Sequence, residues 1–160
     1  MYRAAFFIVL SALMASNAIG QSFWKRASES QFAVRSADSR SIIPDKFQSF
    51  TLDIEGMKKY LARAPFESAG VRGEKGLHLD IPMSDGTLEA FAVFESPVMQ
   101  EQLSAKYPAI RSYIATSISN TGRHMRFDIS VNGFHAAIFS PDGEKYIDPY
   151  SSESVTDYIV

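Results

Sequence analysis

The 160-residue sequence contains no cysteine, and this absence excludes several kinds of chemistry at once. Cysteine nucleophiles, thiolate metal sites and disulfide bridges all require a thiol. Catalytic motifs are missing too, since the chain has no H-E-x-x-H, no G-x-S-x-G, no P-loop and no G-x-G-x-x-G. We therefore expect a fold that is held by packing alone, and no local motif points to catalysis.

Clusters of basic residues are also lacking. The chain has 16 lysines and arginines against 18 acidic residues, so that its formal net charge is −2. Binding to nucleic acid depends on several basic side chains that contact neighbouring phosphates. We therefore expect no nucleic-acid partner.

The N-terminal segment, residues 1–20, has the three parts of a secretory signal peptide. Arg3 supplies the positive charge at the start, and an apolar run follows it. Ala18 and Gly20 are small residues at positions −3 and −1 of a cut before Gln21. The apolar run is too short to cross a bilayer, which takes about 20 apolar residues. We therefore expect cleavage between Gly20 and Gln21, a secreted or extracytoplasmic protein, and no stable membrane anchor.

The mature chain is expected to hold one domain after a short lead-in. Removal of the signal peptide takes away Arg3 and no acidic residue, which leaves a net charge of −3. Residues 21–46 are rich in serine, arginine and aspartate and show little periodicity, which indicates a weakly ordered segment. Phe23 and Trp24 are exceptions, and we expect them to pin the start of the mature chain onto the domain. The domain itself is expected to span residues 47–160.

Alternating apolar residues predict a mainly antiparallel sheet of about five to seven strands. The clearest signal is Asn132-Gly133 between two alternating runs, because this dipeptide favours a hairpin. Further turns are predicted at residues 84–86 and 140–143. The predicted strands lie around residues 50–54, 77–81, 87–94, 110–118, 125–131, 134–139 and 145–148, with another beginning at Tyr158.

Two helices complete the predicted domain. Asp53 can cap a helix whose apolar face includes Ile54 and Leu61. Ser96, which precedes a proline, can cap a second helix that runs to about Lys106. The sequence therefore predicts an α+β fold class, as a single domain, with both helices on one face of the sheet.

The three histidines are the first candidates for chemistry. His78 and His135 are expected on strands, facing away from the apolar side, and His124 beside a loop. Their spacing does not suggest a zinc site, so we expect them to be surface or hydrogen-bonded residues. A Ser-His-Asp triad stays open, because its members need only meet in space. A pocket in which a serine or aspartate is hydrogen-bonded to one of these histidines would favour a small hydrolase.

An aromatic cluster late in the chain is the second candidate. Tyr146, Tyr150 and Tyr158 lie close in sequence, with Pro149 among them. Tyrosine is favoured in protein interfaces, but it also suits a half-buried sheet edge. Both interpretations of this cluster remain open at the sequence level.

Five segments of the mature chain form a familiar ordered set. They are FTLDIEGMKKYLARAP (50–65), LDIPMSDGT (79–87), FAVFESPVM (91–99), RFDISVNGFHA (126–136) and SPDGEKYIDPY (140–150). Together they resemble the N-terminal, propeptide-like region of secreted bacterial reprolysin-like (adamalysin-type) zinc metallopeptidases. The resemblance is clearest over residues 47–150.

This resemblance implies a precursor segment of an extracellular endopeptidase. The family's zinc motif is absent from this sequence, so the motif and its zinc would belong to a protease domain beyond residue 160. No catalytic residue can be carried over, no cofactor is expected in this chain, and its status as an enzyme stays open. We expect either a truncated precursor or a stand-alone propeptide-like domain.

The implied partner is the cognate protease domain in cis, whose folding or latency the domain would assist by docking. Without cysteine, a group that blocks the zinc would be a carboxylate or an imidazole, such as Asp148 or His135. The candidate partner-facing residues are therefore His135, Asp148, Tyr146 and Tyr150. The alternative is a stand-alone secreted binding module with no catalytic activity.

Overall fold

The computed structural model describes residues 21–33, 40, 43–68 and 75–160. The expected signal peptide, including Gly20, lies outside these residues. The described elements are, in chain order, β1 (Trp24–Arg26), α1 (Glu29–Ala33), β2 (Ser49–Leu52), α2 (Ile54–Leu61), β3 (Leu77–Pro82), β4 (Leu88–Glu95), α3 (Glu101–Lys106), β5 (Arg111–Ser117), β6 (His124–Ser130), β7 (Gly133–Ser140), β8 (Gly143–Pro149) and β9 (Asp157–Ile159).

All nine described strands belong to one antiparallel sheet that curls until it is nearly closed. The strand order is β1-β2-β9-β8-β7-β6-β5-β4-β3. The two edge strands, β1 and β3, approach each other, and Gln21 forms a bridge to Leu79 across the gap. The predicted α+β class with a mainly antiparallel sheet is therefore confirmed. The predicted count of five to seven strands is too low, and β1, which is only three residues long, lies outside all of the predicted strand positions.

The start of the mature chain contributes directly to this sheet. β1 pairs with β2, with Trp24 opposite Leu52. The indole of Trp24 is buried and makes edge-to-face contacts with the rings of Phe134 and Tyr158, at 5.3 Å in both cases. Residues 21–33, which the sequence analysis places in a weakly ordered lead-in, thus form a strand and a helix of the fold.

One face of the sheet, called the inner face below, encloses the main apolar core. Successive side chains of a strand point to opposite faces, so every second residue enters the core. Burial of each such side chain stabilises the fold by about 1.5–3 kcal/mol. The core residues of the long strands are Leu79, Ile81, Phe91, Val93, Tyr113, Ala115, Met125, Phe127, Ile129, Phe134, Ala136, Ile138 and Ile147.

The helix α2 completes this inner core. Its N-cap is Asp53, whose carboxylate accepts a hydrogen bond from the backbone N–H of Gly56 at 2.9 Å. The buried face of α2 consists of Ile54, Met57 and Leu61, as its helical spacing predicts. α2 therefore confirms the first of the two predicted helices.

The helix α1 packs on the opposite, outer face of the sheet. Phe32 of α1 is fully buried against Tyr150 and Ile159. Ile159 follows Tyr158, which belongs to the inner core, so the two side chains point to opposite faces of β9. The two predicted helices correspond to α2 and α3, so α1 is a third helix that the sequence analysis did not predict, and it lies on the face opposite α2. Within the described residues, no helix is long and apolar enough to cross a membrane.

The helix α3 begins later than predicted. The backbone N–H of Ser96 donates to the carbonyl of Ser112 at 2.9 Å, so Ser96 still pairs with the neighbouring chain and cannot cap a helix. α3 starts at Glu101 and buries none of its residues.

Two ion pairs occupy the ends of the inner face. Glu89 accepts hydrogen bonds from the guanidinium of Arg123 and from the hydroxyl of Ser117. Glu95 binds Arg111 through two contacts, Nε to Oε1 at 3.1 Å and Nη2 to Oε2 at 2.5 Å. The carboxylate side chains are only 13% and 10% exposed, so each buried charge on β4 has an arginine partner.

Candidate functional site

A row of polar side chains crosses the outer face of β6, β7 and β8. Asp128 is the register partner of His135, and the β7–β8 register places His135 opposite Asp148. His135 Nδ1 lies 3.0 Å from Asp148 Oδ1, which makes a hydrogen bond between adjacent strands. Ser112 of β5 is the register partner of Asp128 and extends the row by one strand.

The alternation of the strands explains why these polar residues share one face. Phe127, Phe134 and Ile147 each neighbour a member of the row and enter the inner core. Because side chains alternate along a strand, Asp128, His135 and Asp148 must then face outward. The apolar pattern therefore sets the face on which the row lies.

The row lies in a groove with a volume of about 490 Å³. Ala137 leaves space on its floor, because its small side chain lies between its register partners Arg126 and Tyr146. Val98 and Ile110, from the connection that contains α3, form an apolar wall. The residues that line the groove include Val98, Ile110, Arg126, Asp128, His135, Tyr146 and Asp148.

Asp128 is a groove residue whose carboxyl pKa is shifted by its surroundings. Burial raises the pKa of its carboxyl above the ordinary value, while His135 lowers this pKa and Asp148 raises it further. Among the residues that the structure describes, none donates a hydrogen bond to the Asp128 carboxylate. A half-buried carboxylate without a protein donor can accept a charge-assisted hydrogen bond from a ligand that supplies one.

Tyr146 forms an exposed aromatic surface beside the row. The residue is 54% exposed, and its hydroxyl donates to Glu144 Oε2 at 2.6 Å. The same hydrogen bond raises the pKa of the Tyr146 hydroxyl. Tyr146 and Asp148 also line a second cavity of about 460 Å³, formed with Pro44 and Lys46. The two residues therefore separate two neighbouring depressions of the surface.

Three of the four candidate partner-facing residues come together in this groove, and the fourth does not. Tyr150 is only 4% exposed and packs against Phe32 of α1. Its hydroxyl donates to Glu29 at 3.1 Å, and the guanidinium of Arg40 lies 4.4 Å from its ring centre. Tyr158 is buried in the inner core. Of the late tyrosines, only Tyr146 faces outward to the groove.

The other two histidines lie away from the row. His78 lies on β3, and His124 begins β6 at the end opposite Asp128. The ring of His124 lies 3.4 Å from the hydroxyl of Thr116. Within residues 21–33, 43–68 and 75–160, no three side chains of the types His, Cys, Asp and Glu are placed to hold a metal ion.

A hydrolytic triad is only partly assembled on this face. His135 is hydrogen-bonded to Asp148, which supplies two of the three groups. The third candidate, Ser112, lies two strands from His135, or roughly 10 Å at the usual strand spacing. Its hydroxyl is already engaged, since it donates to the Ser96 carbonyl at 2.8 Å and accepts from the Val98 N–H at 3.2 Å. Ser112 is therefore not activated by His135, and the hydrolase alternative lacks its nucleophile at this site.

Asp128 and Arg126 are charged groove residues that the sequence analysis did not select. Both lie within the strand that it predicted around residues 125–131. Their relation to His135 depends on the register of the β6–β7 hairpin, which pairs Ser130 with Gly133. A correct prediction of that turn was the signal that could have identified them.

Comparison of this chain with protein-family models, with curated proteins and with solved structures finds no match. The assignment of a function therefore depends on the residues of the groove and on the sequence resemblance.

Proposed function

We propose that this chain is the exported N-terminal pro-region of a zinc metallopeptidase precursor. It assists the folding or the latency of a downstream protease domain by docking through the outer-face groove. The resemblance suggests the class of protein. The observation that carries the proposal is the convergence of His135, Asp148 and Tyr146 with the unpaired Asp128 in one groove.

His135 is the group that best suits contact with a zinc ion in the partner. A histidine that binds zinc usually donates its other ring N–H to a carboxylate, which orients the ring. His135 already has such a partner, because its Nδ1 lies 3.0 Å from Asp148 Oδ1. When Nδ1 carries the proton, Nε2 keeps a free lone pair. In this proposal His135 approaches the zinc of the protease domain and Asp148 orients it.

The rest of the groove suits a segment of the protease domain with mixed chemistry. A basic side chain of that segment would form a charge-assisted hydrogen bond with Asp128, which has no donor among the described residues. Apolar side chains would lie against Val98, which is 73% exposed, and against Ile110. Tyr146 would cover the contact from the side of β8.

The experiment that tests the proposal measures inhibition of the protease domain, produced without its pro-region, by residues 21–160. We expect inhibition at micromolar concentration or below, and His135→Ala to weaken it by about tenfold, or ~1.4 kcal/mol. His124→Ala is the matched control, because His124 also faces outward on β6 but does not line the groove. Absence of both inhibition and assistance in refolding would contradict the proposal.

The coding sequence beyond residue 160 separates this proposal from its alternative. A reading frame that continues to an H-E-x-x-H motif supports a precursor. A stop codon, together with secretion of the domain alone, favours a stand-alone binding module. In that case the groove would bind a ligand other than a protease domain, and the same assay would show no inhibition.

A further inference from the structure

Gln21 lies in the seam between the two edges of the nine-stranded sheet. Its backbone N–H donates to the carbonyl of His78 at 3.3 Å, and its carbonyl accepts from the N–H of Asp80 at 3.1 Å. The residue is exposed, and its side chain forms no hydrogen bond with another residue that the structure describes. The backbone of Gln21 is therefore held in place, while its side-chain amide makes no hydrogen bond to the described part of the chain.

We propose that Gln21 is a modification site, which becomes the N-terminal residue of the exported chain and closes into a pyroglutamate ring. This inference rests on the proposed export and on cleavage after Gly20. It requires no part of the groove and no protease partner, so it can hold or fail independently of docking.

The reaction needs only the α-amino group and the side-chain amide of Gln21. An ordinary α-amino group has a pKa of about 8, so a substantial fraction is unprotonated near neutral pH. Its nitrogen attacks the side-chain amide carbon Cδ, and the new N–Cδ bond closes a five-membered lactam. The Cδ–Nε2 bond breaks, and Nε2 takes the proton released by the amine and leaves as ammonia. Atoms and charge balance without an oxidant, a reductant or a cofactor.

The surroundings of Gln21 permit this ring. The exposed side chain can fold back onto its own amine without displacing a packed residue. The carbonyl oxygen is not consumed, so the hydrogen bond from Asp80 can persist. The reaction replaces an ammonium group in the seam with a neutral N–H, which removes a charge from the edge of the sheet.

The test is the intact mass of the protein secreted from the full coding sequence, followed during incubation at pH 8. A chain that begins at Gln21 and loses about 17 Da, the mass of one ammonia, supports the inference. A chain that begins at Gln21 and keeps its full mass contradicts the inference but supports the proposed export. A chain that retains residues 1–20, or begins elsewhere, contradicts the proposed cleavage and removes the basis of the inference.

Gln21→Ala provides the matched control. Alanine keeps the α-amino group but has no side-chain amide to release ammonia, so the variant should retain its full mass. Loss of ammonia from this variant at the wild-type rate would show that the reaction occurs elsewhere in the chain, and would overturn the assignment to Gln21.

Discussion

Acidic side chains on the inner face of the sheet and on its outer face differ in the hydrogen-bond partners that they have. On the inner face, Glu89 and Glu95 are almost fully covered, and each is bound by an arginine. On the outer face, Asp128 is half-buried and receives no hydrogen bond from a described residue. Burial of an unpaired charge costs free energy, whereas a paired charge recovers much of this cost. The inner carboxylates are thus accounted for by the fold, whereas the donor that Asp128 lacks among the described residues is the group that the proposed partner would supply.

The largest effect should follow from breaking the inner pair of Glu89. Arg123→Ala leaves Glu89 buried without its cation, and we expect a loss of about 3–5 kcal/mol in the free energy of unfolding. Urea denaturation measures this loss. Lys58→Ala is the control, because it breaks the exposed Lys58–Glu55 pair and should change stability by less than about 0.5 kcal/mol. Equal losses of stability from the two substitutions would contradict the expectation that the buried ion pair stabilises the fold more than the exposed one.

A smaller loss in the free energy of unfolding is expected when a buried hydrogen-bond donor on the inner face loses its acceptor. The Tyr158 hydroxyl accepts from the backbone N–H of Phe134 at 2.9 Å and donates to the Val155 carbonyl at 3.2 Å. Tyr158→Phe leaves the Phe134 N–H unpaired, and we expect a loss of about 1–3 kcal/mol in urea denaturation. Tyr146→Phe, on the outer face, should cost less than about 0.5 kcal/mol. A loss at Tyr146 as large as that at Tyr158 would contradict the comparison.

Tyr158 should also make the stability of the protein depend on pH in the alkaline range. Burial raises the pKa of Tyr158 to about 12. Tyrosine in the unfolded chain ionises near pH 10, so the folded state holds the proton more tightly. The stability of the wild-type protein should therefore fall as pH rises from 10 to 12, and Tyr158→Phe should fall less steeply. Parallel curves for the two proteins would contradict the role assigned to this hydroxyl.

The smallest effect, with the opposite sign, is expected at Asp128. Burial raises the pKa of its carboxyl, so the folded state favours the protonated form and the charged form costs stability above about pH 4. Asp128→Asn should therefore increase stability at pH 7, by at most about 0.5 kcal/mol, and give no increase at pH 3. Glu95→Gln, the equivalent change on the inner face, should decrease stability at pH 7. A loss of stability in Asp128→Asn would mean that Asp128 is a structural residue.

Alternation of apolar residues predicted the faces of the strands but not their register. Asn132-Gly133 correctly indicated a hairpin, yet Val131 and Asn132 form its tip, because Ser130 pairs with Gly133. Gly133 has a φ of 106°, and an added Cβ would lie 2.7 Å from the Tyr158 hydroxyl. A tip at Asn132-Gly133 would have placed His135 opposite Ser130. The register is determined by this local turn and its contact with a distant tyrosine, which periodicity does not report.

The hydrophobic periodicity of the sequence also could not predict what residues 21–33 contribute to the fold. β1 has three residues, and the burial of Trp24 depends on Phe134 and Tyr158, which are more than 100 positions away in the sequence. Likewise, Tyr146 and Tyr150 are equivalent in the sequence, but α1 covers Tyr150 and leaves Tyr146 exposed. Long-range packing therefore decides which candidate residues reach the site.

The most direct test of this account is the affinity of residues 21–160 for the protease domain, measured by titration calorimetry for wild type and for Asp128→Asn. The account predicts that the variant binds about tenfold more weakly, or ~1.4 kcal/mol, although it is at least as stable as the wild type at pH 7. Unchanged affinity in a fully folded variant would contradict the claim that Asp128 is kept unpaired for a partner.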